Sequence, residues 1–339
     1  MRLARPVFRT RPATALWRRL RVGLLFAVVA AVLSSVATPP ANAFSAAFFP
    51  TQSAGNRGSD VTAIQYLLQA HDQDVPVDGV FADSTDAAVR AFQTAEGLDV
   101  DGIVGPLTWA ALVPTLREGD SGPAVKAVQS LLNAKRNSGL PVDGTFSAAT
   151  REAVTTFQEH AGISVDGIVG PDTWKNLTWH YELPDFEAAE ICDQDPDGNG
   201  TAANWAAAAA IAQLEAATAA FAKTGHGQVP MGDAGFEHGG SIPGHSSHKG
   251  MDIDIWPIRT DSGQCTGDRI TWKSDAYDRD ATRELAKAIF DAAPGHVKFI
   301  LFNDPTLIDE GLTQSYPNHD NHLHVRYCEK VHPNSLYVC

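Results

Sequence analysis

The sequence predicts a multidomain chain: two all-α three-helix modules, followed by an α+β domain with an antiparallel sheet. Three observations carry this expectation. A block of about 65 residues occurs twice in tandem, which is the signature of a repeated structural unit. Within each copy the apolar residues recur with helical period. Downstream, short runs alternate apolar and polar residues as strands do, and helical stretches flank them.

The repeat is legible residue by residue. Val100-Asp101-Gly102-Ile103-Val104-Gly105-Pro106-Leu107-Thr108-Trp109 returns as Val165-Asp166-Gly167-Ile168-Val169-Gly170-Pro171-Asp172-Thr173-Trp174. Asp78-Gly79-Val80-Phe81 returns as Asp143-Gly144-Thr145-Phe146, and Ala88-Val89…Phe92-Gln93 as Ala153-Val154…Phe157-Gln158. In each unit a first helix carries Val61, Ile64, Leu67 and Leu68 or their counterparts, and Asp-Gly marks the turn after it. Ser84 or Thr85 is expected to cap the second helix, which presents Ala88, Val89 and Phe92 on one face. Gly105-Pro106 then starts a third, short helix containing Trp109, because proline is tolerated in a first helical turn. As pattern alone, these positions are core packing and name no ligand. They also closely resemble the helical peptidoglycan-binding module of bacterial cell-wall hydrolases, over residues 53–113 and 118–178. That resemblance implies peptidoglycan as a partner.

Residues 1–43 read as a secretory signal peptide: seven arginines, an apolar stretch from Val22 to Leu33, and Ala41-Asn42-Ala43 as the cleavage site. The apolar stretch is short for a membrane span. A secreted, wall-associated chain with no membrane attachment after signal removal is therefore expected. The leader holds seven of the 26 basic residues and none of the 40 acidic ones, so the remainder carries a net charge of −21. Such a chain repels phosphate backbones, which excludes nucleic-acid binding through general electrostatics. A monomer is expected. All four cysteines (Cys192, Cys265, Cys328 and Cys339) lie in the C-terminal half, and an even count in an exported chain favours disulfides. Three connectivities are open; Cys192–Cys339 with Cys265–Cys328 is preferred.

The C-terminal domain is expected over residues 190–339, after a linker from Tyr181 to Glu190. Asp193 to Thr201 alternates aspartates ahead of a glycine, as a calcium loop does. With Pro196 inside it and Asn204 rather than Glu at the twelfth position, an acidic turn leading into a helix is the better reading. That helix is expected from Ala202 to Lys223, a second from Asp280 to Ala292, and a buried strand from Val297 to Phe302. In Met251-Asp252-Ile253-Asp254-Ile255-Trp256 strict alternation places Met251, Ile253 and Ile255 towards a core and Asp252 and Asp254 on the opposite face. Two like charges on one face are unfavourable unless a cation sits beside them.

Five of the twelve histidines lie in two short runs, His245-Ser246-Ser247-His248 and His319-Asp320-Asn321-His322-Leu323-His324. Strand spacing puts His322 and His324 on one face. Histidine and carboxylate are common zinc ligands, and a His₂Asp set with an open position describes a catalytic zinc site. The histidine-to-aspartate pairing on the N-terminal side stays open at this point between His248 with Asp254 and His245 with Asp252.

Gly244-His245-Ser246-Ser247-His248…Gly250…Asp252-Ile253-Asp254-Ile255-Trp256 and His319-Asp320-Asn321-His322-Leu323-His324-Val325-Arg326 resemble the penicillin-insensitive murein endopeptidases. These group with lysostaphin-type enzymes, D-alanyl-D-alanine metallopeptidases and sonic hedgehog. The resemblance spans about residues 190–330. It implies Zn²⁺ bound by His248, Asp254 and His324, with His322 and His319 poised for proton transfer. Only Lys249 separates His248 from Gly250 where the family has two residues, whereas His245 to Asp252 keeps the family's separation; His248 with Asp254 is preferred because Gly250 and Asp254 keep their mutual register. The implied activity is a secreted zinc endopeptidase that cuts peptide cross-links of the bacterial wall. A D-alanyl-D-alanine carboxypeptidase and a non-catalytic wall-binding protein are the alternatives. No His-Glu-x-x-His helix occurs, which excludes a thermolysin-like site.

Overall fold

Buried side chains form two clusters, one under the helical repeats and one under a sheet, in a computed structural model that describes residues 47–188, 190–194, 203–237, 242, 248, 250–332 and 334–339. The leader, His245, and the acidic run from residue 195 to 202 lie outside the described residues.

Each repeat folds as three helices, as expected. The first comprises α1 (Ser59–Ala70), α2 (Asp83–Glu96) and α3 (Pro106–Leu112); the second comprises α4 (Pro123–Arg136), α5 (Ala148–Ala161) and α6 (Pro171–Trp179). Proline opens α3, α4 and α6, where its missing N–H costs nothing. The repeated Gln and Asp-Gly positions turn out to be one device. Gln158 donates from Nε2 to Asp166 Oδ1 (2.9 Å) and Ile168 O (2.9 Å), and accepts from the Gly167 N–H (2.9 Å). Gln129 does the same around Asp143 and Gly144. The motif therefore ties each turn to the preceding helix. Trp109 and Trp174 are fully buried and donate to Pro50 O and Pro114 O.

The expected cap of α2 is corrected. Ala82 precedes the helix and makes no side-chain cap, while Thr85 is drawn inward to the Val80 carbonyl and the Gln65 amide. In the second copy Ser147 does cap α5, accepting from the Thr150 N–H.

The C-terminal region holds a five-stranded sheet in the order β1-β2-β3-β5-β4, with β1 (Ile191–Asp193), β2 (Val229–Met231), β3 (Asp252–Ile255), β4 (Val297–Leu301) and β5 (Leu323–Tyr327). The expected antiparallel sheet is thus mixed. β1 and β2 run parallel, because α7 (Ala208–Phe221) lies in the connection between them, and parallel strands need such a crossover. α7 starts later than expected: Ala206 is held in an extended bridge to Glu182. α8 (Arg279–Ala292) matches its expectation and packs with α7 against the apolar side of the sheet. A short α9 (Pro305–Asp309) precedes β5.

The disulfides are Cys192–Cys265 and Cys328–Cys339, not the preferred pairing. β1 brings Cys192 beside the loop after β3, and the chain end folds straight back on β5. Tyr181 to Glu190 is also more than a linker. Glu182 is buried, pairs its backbone with Ala206, and lies 3.5 Å from the Lys135 ammonium. Lys135, from the second module, also reaches Asp60 of the first at 3.2 Å. Gly58 (φ 112°) brings the first module close to α7: a Cβ there would lie 2.7 Å from the Ala208 carbonyl oxygen.

Candidate metal centre

The pairing of β3 with β5 builds the site. Antiparallel register sets Asp254 opposite His324 and Asp252 opposite Arg326, on the same face, while Ile253 and Ile255 face Val325 and Leu323 on the other. The sequence placed the two aspartates on one face; the register gives each its partner. Both carboxylates are fully buried.

His248 completes a triangle with Asp254 and His324. Its Nε2 lies 3.2 Å from His324 Nδ1 and 3.4 Å from Asp254 Oδ1, and the last two atoms are 2.9 Å apart. Ligands bound at 2.0–2.1 Å in a tetrahedron stand about 3.3 Å from one another. Two imidazoles and a carboxylate with this spacing fit zinc. All three residues are buried, so the donor atoms are held by packing.

Asp252 plays a different part. Its Oδ1 lies 2.8 Å from His324 Nε2, the nitrogen away from the triangle, and 2.6 Å from Arg326 Nε; its Oδ2 accepts from the Tyr337 hydroxyl at 2.8 Å. A carboxylate on the far nitrogen of a ligating histidine fixes its tautomer and orientation. With both oxygens engaged in this way, Asp252 is spatially an orienting group for His324 rather than a corner of the triangle. Burial works against a charge on His324, yet the hydrogen bonds to Asp252 and Asp254 outweigh it and lift the imidazole to about 9. Burial likewise opposes ionisation of Asp252, and His324 and Arg326 reverse that, holding it below the usual carboxylate range.

His322 and His319 stand beside the triangle. His322 Nε2 is 3.7 Å from Asp254 Oδ2, while its Nδ1 pairs with the Asn321 side chain at 3.0 Å. His319 packs its ring 4.6 Å from that of His322 and anchors Nδ1 at the Pro317 carbonyl, 2.8 Å away. Together with His324 these rings form a second potential ligand group. All five expected site residues therefore converge. The four histidines line a cavity of about 720 Å³ whose walls also include Trp256, Arg269, Tyr316 and Asn318. Arg269 stacks over Trp256 at 4.3 Å.

Sequence reasoning missed Tyr337 and the orienting role of Asp252. Tyr337 lies ten residues beyond β5 in an unpatterned segment, and no local signal marks it. Asp252 was visible as a partner of Asp254, but only strand register separates an inner carboxylate from an outer one.

Residues 57–112 and 121–177 match the family described as "Putative peptidoglycan binding domain". The chain is 34% identical over 150 residues to the zinc D-Ala-D-Ala carboxypeptidase of Streptomyces albus G, covering 41% of this chain and 54% of that protein. It is 34% identical over 147 residues to the N-acetylmuramoyl-L-alanine amidase CwlM of Mycobacterium tuberculosis, covering 36% of each. Among solved structures, the SleB N-terminal domain is 38% identical, with 21% of this chain and 93% of that chain covered, at a TM-score of 0.18. The chain spans about half the length of these curated relatives or less, and the shared stretch is mainly the binding domain. The N-terminal half thus carries a repeated domain of the peptidoglycan-binding type, and the two relatives named here are a D-Ala-D-Ala carboxypeptidase and an N-acetylmuramoyl-L-alanine amidase. Among the described residues no helix is long and apolar enough to cross a membrane.

Proposed function

We propose that this chain is a secreted, monomeric zinc peptidase that cuts peptide cross-links in bacterial peptidoglycan, held on its substrate by the two N-terminal repeats. The observation that carries this reading is the buried triangle of His248 Nε2, Asp254 Oδ1 and His324 Nδ1, with a second carboxylate on the outer nitrogen of His324. Zinc, when bound, supplies Lewis acidity towards a peptide carbonyl and towards water. His322, on the cavity side of Asp254, takes the proton of the attacking water at Nε2 and delivers it to the leaving amine. His319 packs on the His322 ring and serves as the alternate proton acceptor or as a donor to the developing oxyanion. Wall-binding repeats raise the local concentration of substrate without adding contacts at the site. Disulfides suit the same extracellular setting.

A second reading, a D-alanyl-D-alanine carboxypeptidase, draws on the Streptomyces relative and on Arg269 in the cavity wall, whose guanidinium suits a terminal carboxylate. Mass spectrometry of products released from purified peptidoglycan separates the two. Chelator-sensitive conversion of cross-linked dimers to monomers is the expected result. Loss of terminal alanine alone would transfer the assignment to the carboxypeptidase. Zinc binding with no product would leave a wall-binding protein.

A further inference from the structure

The C-terminal segment has no part in the triangle, yet it ends against the residue that orients it. Tyr337 is fully buried, and its hydroxyl reaches Asp252 Oδ2 at 2.8 Å. The loop that carries it is closed by the Cys328–Cys339 disulfide directly after β5. Inside this loop the Glu329 N–H donates to Tyr337 O (2.8 Å), and the Cys339 N–H donates to Glu329 O (3.0 Å). From outside, the Lys298 ammonium on β4 donates to Leu336 O and Val338 O at 2.8 and 2.9 Å. Arg326 lies between loop and site: its guanidinium is 5.5 Å from the centre of the Tyr337 ring while its Nε holds the other oxygen of Asp252. Asp252 is thus clamped at both oxygens, and one of the two clamps is borne by the disulfide-closed loop.

We propose that the Cys328–Cys339 loop is a positioning element for the metal centre. It presses the Tyr337 hydroxyl onto Asp252, which fixes the ring of His324 with Nδ1 facing His248 and Asp254. Opening the loop frees Asp252 to rotate, and His324 then samples orientations that do not ligate. The consequence is redox-sensitive metal retention: the site holds zinc while the Cys328–Cys339 bond is intact, and releases it more readily once a dithiol reductant has converted that bond to two thiols and left as its own disulfide.

This inference rests on the zinc reading above, and one titration distinguishes their failures. Zinc affinity of the purified protein is measured by competition with a chromophoric chelator, beside thermal melting of the metal-free protein. Tyr337→Phe, which removes only the hydroxyl, is expected to weaken zinc binding about tenfold, the lower end for outer partners of ligating histidines. Asp252→Asn weakens it more, and adding Tyr337→Phe to Asp252→Asn produces no further loss, since both act through one group. The Cys328→Ser/Cys339→Ser variant follows Tyr337→Phe. Unchanged affinity in Tyr337→Phe, or a serine variant that melts earlier yet binds zinc as tightly, overturns the positioning role and leaves the zinc reading intact. Absence of zinc binding in the unaltered protein, or binding insensitive to His248→Ala, sinks both.

Discussion

Lys135→Met tests how the modules are fixed to the C-terminal domain. The lysine side chain is fully buried, and its ammonium lies 3.2 Å from Asp60 on α1 and 3.5 Å from Glu182 beyond α6. Methionine keeps most of the volume and removes the only cation the two carboxylates share at that point among the described residues. Breaking a buried ionic cluster by deleting one member costs about 3–5 kcal/mol, because the partners stay buried and uncompensated. Burial already lifts the Asp60 carboxyl to about 6, with Lys135 pulling against it. Without the lysine, protonation becomes the remaining relief, so the deficit is larger at pH 8 than at pH 5. At a urea slope of about 3 kcal/mol per molar, the unfolding midpoint at pH 8 falls by about 1 M or more. Tryptophan fluorescence reports it, since Trp109 and Trp174 lie in the two module cores. Lys135→Met/Asp60→Asn should recover part of the loss. A single variant within about 1 kcal/mol of the unaltered protein at pH 8, or a double variant no better than the single, would mean that Lys135 does not compensate the two carboxylates.

Three further outcomes are expected. His322→Ala abolishes release of wall fragments while leaving bound zinc unchanged by elemental analysis, because His322 stands beside the triangle and not in it. Glu329 is raised by burial, with Asp60 adding to it, to about 8 against an ordinary 4.5. The folded state therefore holds a proton that the unfolded chain gives up as pH rises through this window, and folding is penalised progressively up to pH 8 and fully above it. Glu329→Gln should accordingly melt above the unaltered protein at pH 9 and together with it near pH 4. Gln158→Ala removes the buried amide that ties the Asp166-Gly167 turn to α5, and should destabilise by about 2–3 kcal/mol in urea unfolding, with peptidoglycan binding lost only as the module unfolds.

The helical half was readable because its information is local. Apolar period, Asp-Gly turns and Gly-Pro helix starts lie within a few residues of what they specify, and duplication wrote them twice. The site was readable in composition for the same reason: alternation put Asp252 with Asp254, and His322 near His324, without any knowledge of the fold. What needed the structure was pairing across the chain. Register between β3 and β5 decides that Asp254 faces His324 and that Asp252 lies behind it. The parallel β1–β2 pair, the two disulfides and the burial of Glu182 follow equally from long-range packing. Tyr337 is the clearest case, since its importance lies wholly in a contact 85 residues away along the chain.

Zinc content tests the metal centre independently of any activity. The purified protein, its Asp254→Ala variant and its His322→Ala variant are loaded with zinc, dialysed, and measured by plasma mass spectrometry. One zinc per chain in the unaltered protein and in His322→Ala, with none retained by Asp254→Ala, is the predicted result. Zinc held equally well by Asp254→Ala would contradict the assignment of the His248–Asp254–His324 triangle as the metal centre.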